Sequence, residues 1–170
     1  MPDTTEDAAV ATLVGPELVA SRGRWGPESV SYPVATSDIR RWAIAVYWPQ
    51  TPPRLFWDEA FARTTRWGGI VAPEDFNPFA WPVPSGPVPP AGAVPGKTPP
   101  KGGNVLNGGQ VDTFFGRIRP GDVITQRTRL AGWDERMGRL GLMLFLHHES
   151  EWRNQSGELL KRRLATSIWY

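Results

Sequence analysis

The chain carries few groups that could do chemistry. His147 and His148 are its only histidines, and Glu149 and Glu151 follow them. Imidazole beside carboxylate suits proton transfer or a metal ion. Adjacent residues of a strand face opposite ways, however, so these side chains cannot converge on one ion, and no metal is expected. One histidine should point into the core and the other outward. Glu74 and Asp75 follow Pro73, where the sequence suggests a helix start. A carboxylate there could activate water or attack an acyl group, and free backbone amides could polarise a carbonyl. Acidic residues are equally at home at any helix start. Arg117, Arg119, Arg127 and Arg129 come in pairs two residues apart, each pair on one face of its strand, with the strands expected to be neighbours. They suit phosphates or an acidic protein surface, or simply a solvated sheet face. Gly102-Gly103 and Gly108-Gly109 read as loop and bulge glycines, since no Gly-Lys-Ser/Thr follows them.

Composition bounds the rest. At 170 residues, one domain is the default, and 40% hydrophobic with 21% charged residues is ordinary for a globular chain. Zero cysteines exclude disulfides, zinc-thiolate sites and cysteine nucleophiles. No apolar run is long enough for a bilayer, and the start is acidic where a signal peptide would be basic. A cytoplasmic protein without a cofactor or a membrane partner is expected. Nineteen basic residues, sixteen of them arginine, face seventeen acidic ones. The largest basic cluster is Lys161-Arg162-Arg163, too short for a nucleic-acid face.

The elements that must position these groups begin after a loose terminus at residues 1–12. Ser29–Val34 looks extended. Thr36 or Ser37 can cap a helix over Asp38–Tyr47, where Ile39, Trp42, Ala43 and Val46 recur at helical spacing. A second short helix is expected over Asp58–Thr65. Ten of the twenty-eight residues from Pro73 to Pro100 are proline, which leaves room for only one short helix, near Pro73–Ala80. Strands follow at Val111–Ile118, Val123–Leu130, Leu140–His148 and Glu158–Trp169, with a turn at Arg119–Asp122 and a polar connection at Gly132–Gly138. Leu140–His148 is apolar enough for both faces to be covered. The fold class is α+β with an antiparallel sheet. So small a helical layer leaves a sheet edge or face for a partner, and an oligomer is expected.

Several phrases then carry a resemblance, in this order: Ser37-Asp38-Ile39-Arg40-Arg41-Trp42-Ala43; Phe56-Trp57-Asp58-Glu59-Ala60-Phe61-Ala62; Trp67-Gly68-Gly69-Ile70-Val71-Ala72-Pro73; Gly108-Gly109-Gln110; and Arg117-Ile118-Arg119-Pro120-Gly121-Asp122. Together they resemble the N-terminal, degenerate type of the MaoC-like dehydratase family across roughly residues 13–170. The resemblance implies a hot-dog domain, a sheet wrapped around a central helix, with a proline-rich insertion at about 82–103. It implies acyl thioesters of coenzyme A or acyl carrier protein as ligands. It also implies a second hot dog as partner; the sequence ends with one, so another subunit is expected.

The family's hydratases use an aspartate and a histidine in a motif Asp-x-Asn-Pro-x-His-x-Asp after the first helix. Set against Asp58, the histidine position holds Phe56 and the aspartate position holds Thr51; Val46–Trp57 contains no Asp, Glu or His in any register. The resemblance therefore implies the non-catalytic subunit of an enoyl-thioester hydratase or 3-hydroxyacyl-thioester dehydratase, shaping the acyl pocket beside a catalytic partner. Substrate would be bound by Phe56, Trp57, Trp67, Gly69, Arg117 and Arg119, with Trp48 a further candidate wall. Those aromatics could as well be ordinary core. Two alternatives stay open: a homodimeric thioesterase using Glu74 or Asp75, and a non-enzymatic acyl-thioester binding subunit.

Overall fold

The computed structural model describes residues 12–80 and 104–170. The expected loose terminus, apart from its last residue, and the proline-rich insertion lie outside the described residues. A short helix α1 (Pro16–Ser21) leads into β1 (Ser29–Val30), helix α2 (Thr36–Tyr47) and helix α3 (Glu59–Arg63). Four strands follow: β2 (Val105–Phe114), β3 (Thr125–Gly138), β4 (Gly141–Arg153) and β5 (Leu159–Trp169). With β1 they form one five-stranded antiparallel sheet in the order β1-β3-β4-β5-β2. This is the α+β class read from the sequence.

Local chemistry explains most elements. α2 sits where the apolar spacing places it and buries Ile39 and Ala43. Its cap position falls on Ala35 without a side-chain bond, not on Thr36 or Ser37. Asp58 does cap α3, accepting from the Phe61 amide at 3.0 Å. That amide and the Arg54 guanidinium hold its carboxyl below the usual range. At Arg119–Asp122 the Asp122 amide closes the turn on the Arg119 carbonyl, and Gly121 takes the positive φ of 88° that the turn requires. β1 is short, yet backbone bonds carry the extended stretch on to Val34, whose amide meets the Asp122 carbonyl.

Three elements differ from the sequence reading. Residues 73–80 form turns, closed by the Phe76 amide on Pro73 and the Ala80 amide on Asn77, and not a helix. Pro78 has no amide to give and its ring would strike the carbonyl one turn back. β2 starts at Val105 and stops at Phe114, so Arg117 and Arg119 lie in the loop beyond it. Gly132–Gly138 is strand, not connection, and the true hairpin turn is Arg139-Leu140.

Alternation along β4 gives the sheet two unlike faces. Leu144, Leu146 and Trp152 point to the helix-bearing face. There α2 and residues 70–76 form one apolar cluster with Trp152, Ile124 and Leu160, and Leu18 of α1 packs on a second around Leu144 and Leu146. His147, Glu149 and Glu151 point to the other face, bare in that no helix covers it among the described residues. Phe145 on that face is half-buried under Arg136, and no second layer covers it among the described residues.

The basic tripeptide is split in the same way. Arg162 lies on the bare face, while Lys161 and Arg163 turn inward beside Trp152. Asp112 of β2 accepts both nitrogens of Arg163, at 2.7 and 2.8 Å. Lys161 Nζ lies 2.9 Å from Asp112 Oδ2 outside hydrogen-bonding angle, and 4.3 Å from the Trp152 ring. The Arg163 bonds, helped by Lys161, outweigh burial and push the Asp112 carboxyl down to about 2. Burial lowers the Lys161 pKa in turn.

Two stability tests follow. Ile39→Ala should cost about 2–5 kcal/mol in urea unfolding, whereas Ile44→Ala, on the exposed side of α2, should stay within about 0.5 kcal/mol. Asp112→Asn should cost about 3 kcal/mol because it strands a buried ammonium, while Lys161→Met should be near neutral. A depressed carboxyl stabilises the fold above its unfolded pKa, near 3.8, and loses that contribution as pH falls towards about 2. Acid titration of the Asn variant should lack this component.

Candidate functional site

The loop after α3 supplies the first part of the site. Gly68 has a φ of +66°, which turns the chain after Trp67 so that Ile70, Val71 and Ala72 enter the core. The Ala72 amide bonds to the Ile118 carbonyl at 2.8 Å, laying this loop alongside residues 117–119. Motifs fifty residues apart are thereby joined.

Around the Trp67 indole stand three arginines. The guanidinium carbons of Arg66 and Arg117 lie 4.6 and 5.5 Å from the centre of the ring. Arg119 donates through Nη1 to the Trp67 carbonyl at 2.8 Å. Glu74 neutralises one of the three, its Oε1 2.6 Å from Arg117 Nη2. The group is therefore an aromatic surface edged by excess positive charge, which suits an anionic, partly aromatic or flat ligand.

Of the residues singled out from the sequence, Trp67, Gly69, Glu74, Arg117 and Arg119 come together here. Phe56 belongs to the core cluster against which Trp67 packs, with its ring 6.0 Å from Tyr47. Trp57 is anchored by its indole N–H to the Pro52 carbonyl at 2.9 Å and stays part-exposed. Trp48 is 77% exposed. Asp75 is exposed, and its field reaches Lys161. Because residues 73–80 are turns, Glu74 and Asp75 have no row of aligned helix amides behind them.

The two arginine pairs are not on neighbouring strands, as the sequence suggested. β4 and β5 lie between β2 and β3, so Arg127 and Arg129 belong to a different part of the sheet from Arg117 and Arg119. β2 and β3, consecutive in the chain, are here three places apart in the sheet. His147 faces the bare side, where its Nε2 lies 2.9 Å from Asp134 and its Nδ1 3.0 Å from Thr166 Oγ1. His147 holds the Asp134 carboxyl below its usual range. Among the described residues no group of three or more His, Asp or Glu side chains could hold a metal ion.

Two features went unread in the sequence. Arg66 gave no signal beyond its charge. A cleft of about 310 Å³ opens beside the start of α2, lined by Tyr32, Val34, Asp38, Arg41 and Phe76 among others. Its floor, Phe76, meets Trp42 edge-on at 5.6 Å, and the buried Trp42 N–H has no hydrogen-bond partner among the described residues. The Asp38-to-Trp42 motif hinted at α2, but the wall opposite is set by a turn that the sequence did not disclose.

Comparison with known proteins agrees with this architecture. The chain has the fold of the ChsH1-ChsH2 complex from Mycobacterium tuberculosis, with a TM-score of 0.64 and 18% identity over 85% of this chain and 83% of that one. The C-terminally truncated HadBC (3R-hydroxyacyl-ACP dehydratase) complex from the same organism gives 0.57 and 19%, over 87% and 96%. A MaoC-like dehydratase from Rhodospirillum rubrum gives 0.56 and 18%, over 84% and 90%. No curated protein matches the sequence. A domain family described as "FAS1-like, dehydratase domain region" matches residues 20–163. The chain belongs to that family, a MaoC-like dehydratase domain with the hot-dog fold.

Proposed function

We propose that this chain is the non-catalytic hot dog of a heteromeric enoyl-thioester hydratase or 3-hydroxyacyl-thioester dehydratase. One observation carries the reading. The stretch after the middle of α2, Val46–Trp57, where the family's hydratases place their aspartate and histidine, has no acidic or imidazole side chain. Addition of water to an enoyl thioester needs a base for the water and an acid at the α-carbon. His147 with Asp134 could exchange protons, but the pair stands on the bare face, away from α2 and the Trp67 group.

What the chain contributes is then binding. The Trp67 indole with Arg66, Arg117 and Arg119 would hold the anionic end of a coenzyme A or carrier-protein thioester. The partner hot dog would join along β2, the sheet edge. That strand exposes Val105, Leu106, Val111 and Phe114 and has a single charge, Asp112, already spent on Lys161 and Arg163. Edges that avoid pairing usually carry unspent charge or proline, and this one has neither.

The test is a hydration assay on a medium-chain enoyl-CoA with this chain alone, a hot-dog partner bearing an intact Asp and His alone, and both together. Activity, or a marked gain, only in the mixture is the expected result; hydration by this chain alone would overturn the reading. In the mixture Arg117→Gln should raise KM about tenfold with kcat little changed, as loss of one charge-assisted contact made equally in ground and transition states requires.

A further inference from the structure

We propose that the bare face of the sheet is a docking surface for an acidic protein face, gripped by Arg127, Arg129, Arg153 and Arg162. The proposal stands apart from the thioester reading, because it rests on the opposite side of the sheet from the Trp67 group.

Four guanidiniums from three strands surround two carboxylates. Glu151 takes Arg127 and Arg153 on one oxygen, at 3.3 and 3.0 Å, and Arg162 on the other, at 3.2 Å. Glu149 takes Arg129 at 2.8 Å and Arg162 at 3.2 Å. Burial pushes the Glu151 carboxyl up, but the bonds from Arg153, Arg127 and Arg162 prevail and hold it below the usual carboxylate range. Glu151 is thus held ionised, and four arginines set against two glutamates leave an excess of two basic groups.

The excess is held still. The Trp25 indole underlies Arg127 and Arg129, with guanidinium carbons 4.3 and 4.5 Å from the ring centre. Arg162 lies 5.6 Å from the Phe115 ring. Glu151 is itself 5% exposed, so it works as a buried post to which exposed arginine heads are tied. Between 32% and 45% of each arginine side chain still meets solvent. Arginines fixed in advance lose less freedom on binding than free ones.

Geometry selects the partner. Strands about 4.8 Å apart place the β3 and β5 arginines about 10 Å from one another, and residues two apart on β3 are separated by about 7 Å. Glu149 and Glu151 already occupy the points where the guanidiniums converge, so no single phosphate can take them together. Arg127 Nε is buried, but the four heads stay between about a third and a half exposed over a spread area, which matches several carboxylates on a folded surface. Further along the same face Asp134 stands 4.0 Å from Arg136, so that pair adds no net charge, and two excess basic groups are few for a nucleic-acid backbone.

The experiment uses the full chain and a fluorescein-labelled helical peptide with glutamates along one side, followed by anisotropy. Binding is expected at about 50 mM salt and should weaken at least tenfold by about 200 mM, as a partly exposed ionic contact must. The same peptide with glutamines should not bind. Arg129→Gln and Arg162→Gln should each weaken binding about fivefold, whereas Arg63→Gln, on α3, should not. Circular dichroism checks that the variants fold. Should they not, Arg117→Gln, which weakens the separate basic group at Trp67, should leave binding of the glutamate peptide unchanged, and the salt dependence and the glutamine peptide are read on that variant. No binding at low salt, equal binding of the glutamine peptide, displacement by millimolar inorganic phosphate, or tighter binding of duplex DNA than of the glutamate peptide would each overturn the proposal.

Discussion

The constraint on which the rest depends is the alternation of side chains along β4. Leu144, Leu146 and Trp152 face the helices, and His147, Glu149 and Glu151 face the ionic lattice. A slip of one residue would drive Glu149 and Glu151 into an apolar core and expose Trp152. The penalty is many times larger than that of any single contact, so the register with β3 and β5 is fixed from both faces at once. The buried Lys161, the inward Arg163 and the outward Arg162 all take their places from that register.

Much of this was legible in the sequence where a local cause is sufficient. Helical spacing in Asp38–Tyr47, a short helix beginning near Asp58 and the Pro120-Gly121 turn need only neighbours a few residues away. The failures share a different cause. Asp134-Glu135-Arg136 looks like a loop because the end of the β3–β4 hairpin is wet on both sides and no core stripe betrays it. The turns at 73–80 looked helical because a proline followed by two acids fits a helix start, and the veto comes from Pro78 at the far end. Adjacency of the arginine pairs was inferred from chain order, whereas strand order depends on where the β2–β3 crossover lands.

The candidate site was half readable for the same reason. Its residues were visible as phrases, and the resemblance supplied their order, but nothing local says that Ala72 pairs with Ile118 and so joins Trp67 to Arg117 and Arg119. Trp25 and Asp112 carried no signal at all, since their partners lie about fifty residues or more away along the chain. The lack of an acid or imidazole between Val46 and Trp57 was legible outright. An absence of residue types survives any arrangement of the chain.

The glycine bulge in β2 sets a rule for whatever pairs with that edge. Between Asn107 and Gln110 the strand spends three steps while β5, from Ser167 to Ala165, spends two. The two halves of β2 are thus out of phase by one residue, like a ruler with one division too many. A regular strand laid alongside can follow Val105–Asn107 or Gln110–Phe114, but not both. A strand with the same extra residue, running the opposite way, can follow the whole length if a two-fold axis passes through Gly108-Gly109. The edge thereby measures its visitor: full-length pairing is reserved for a strand that carries the same irregularity.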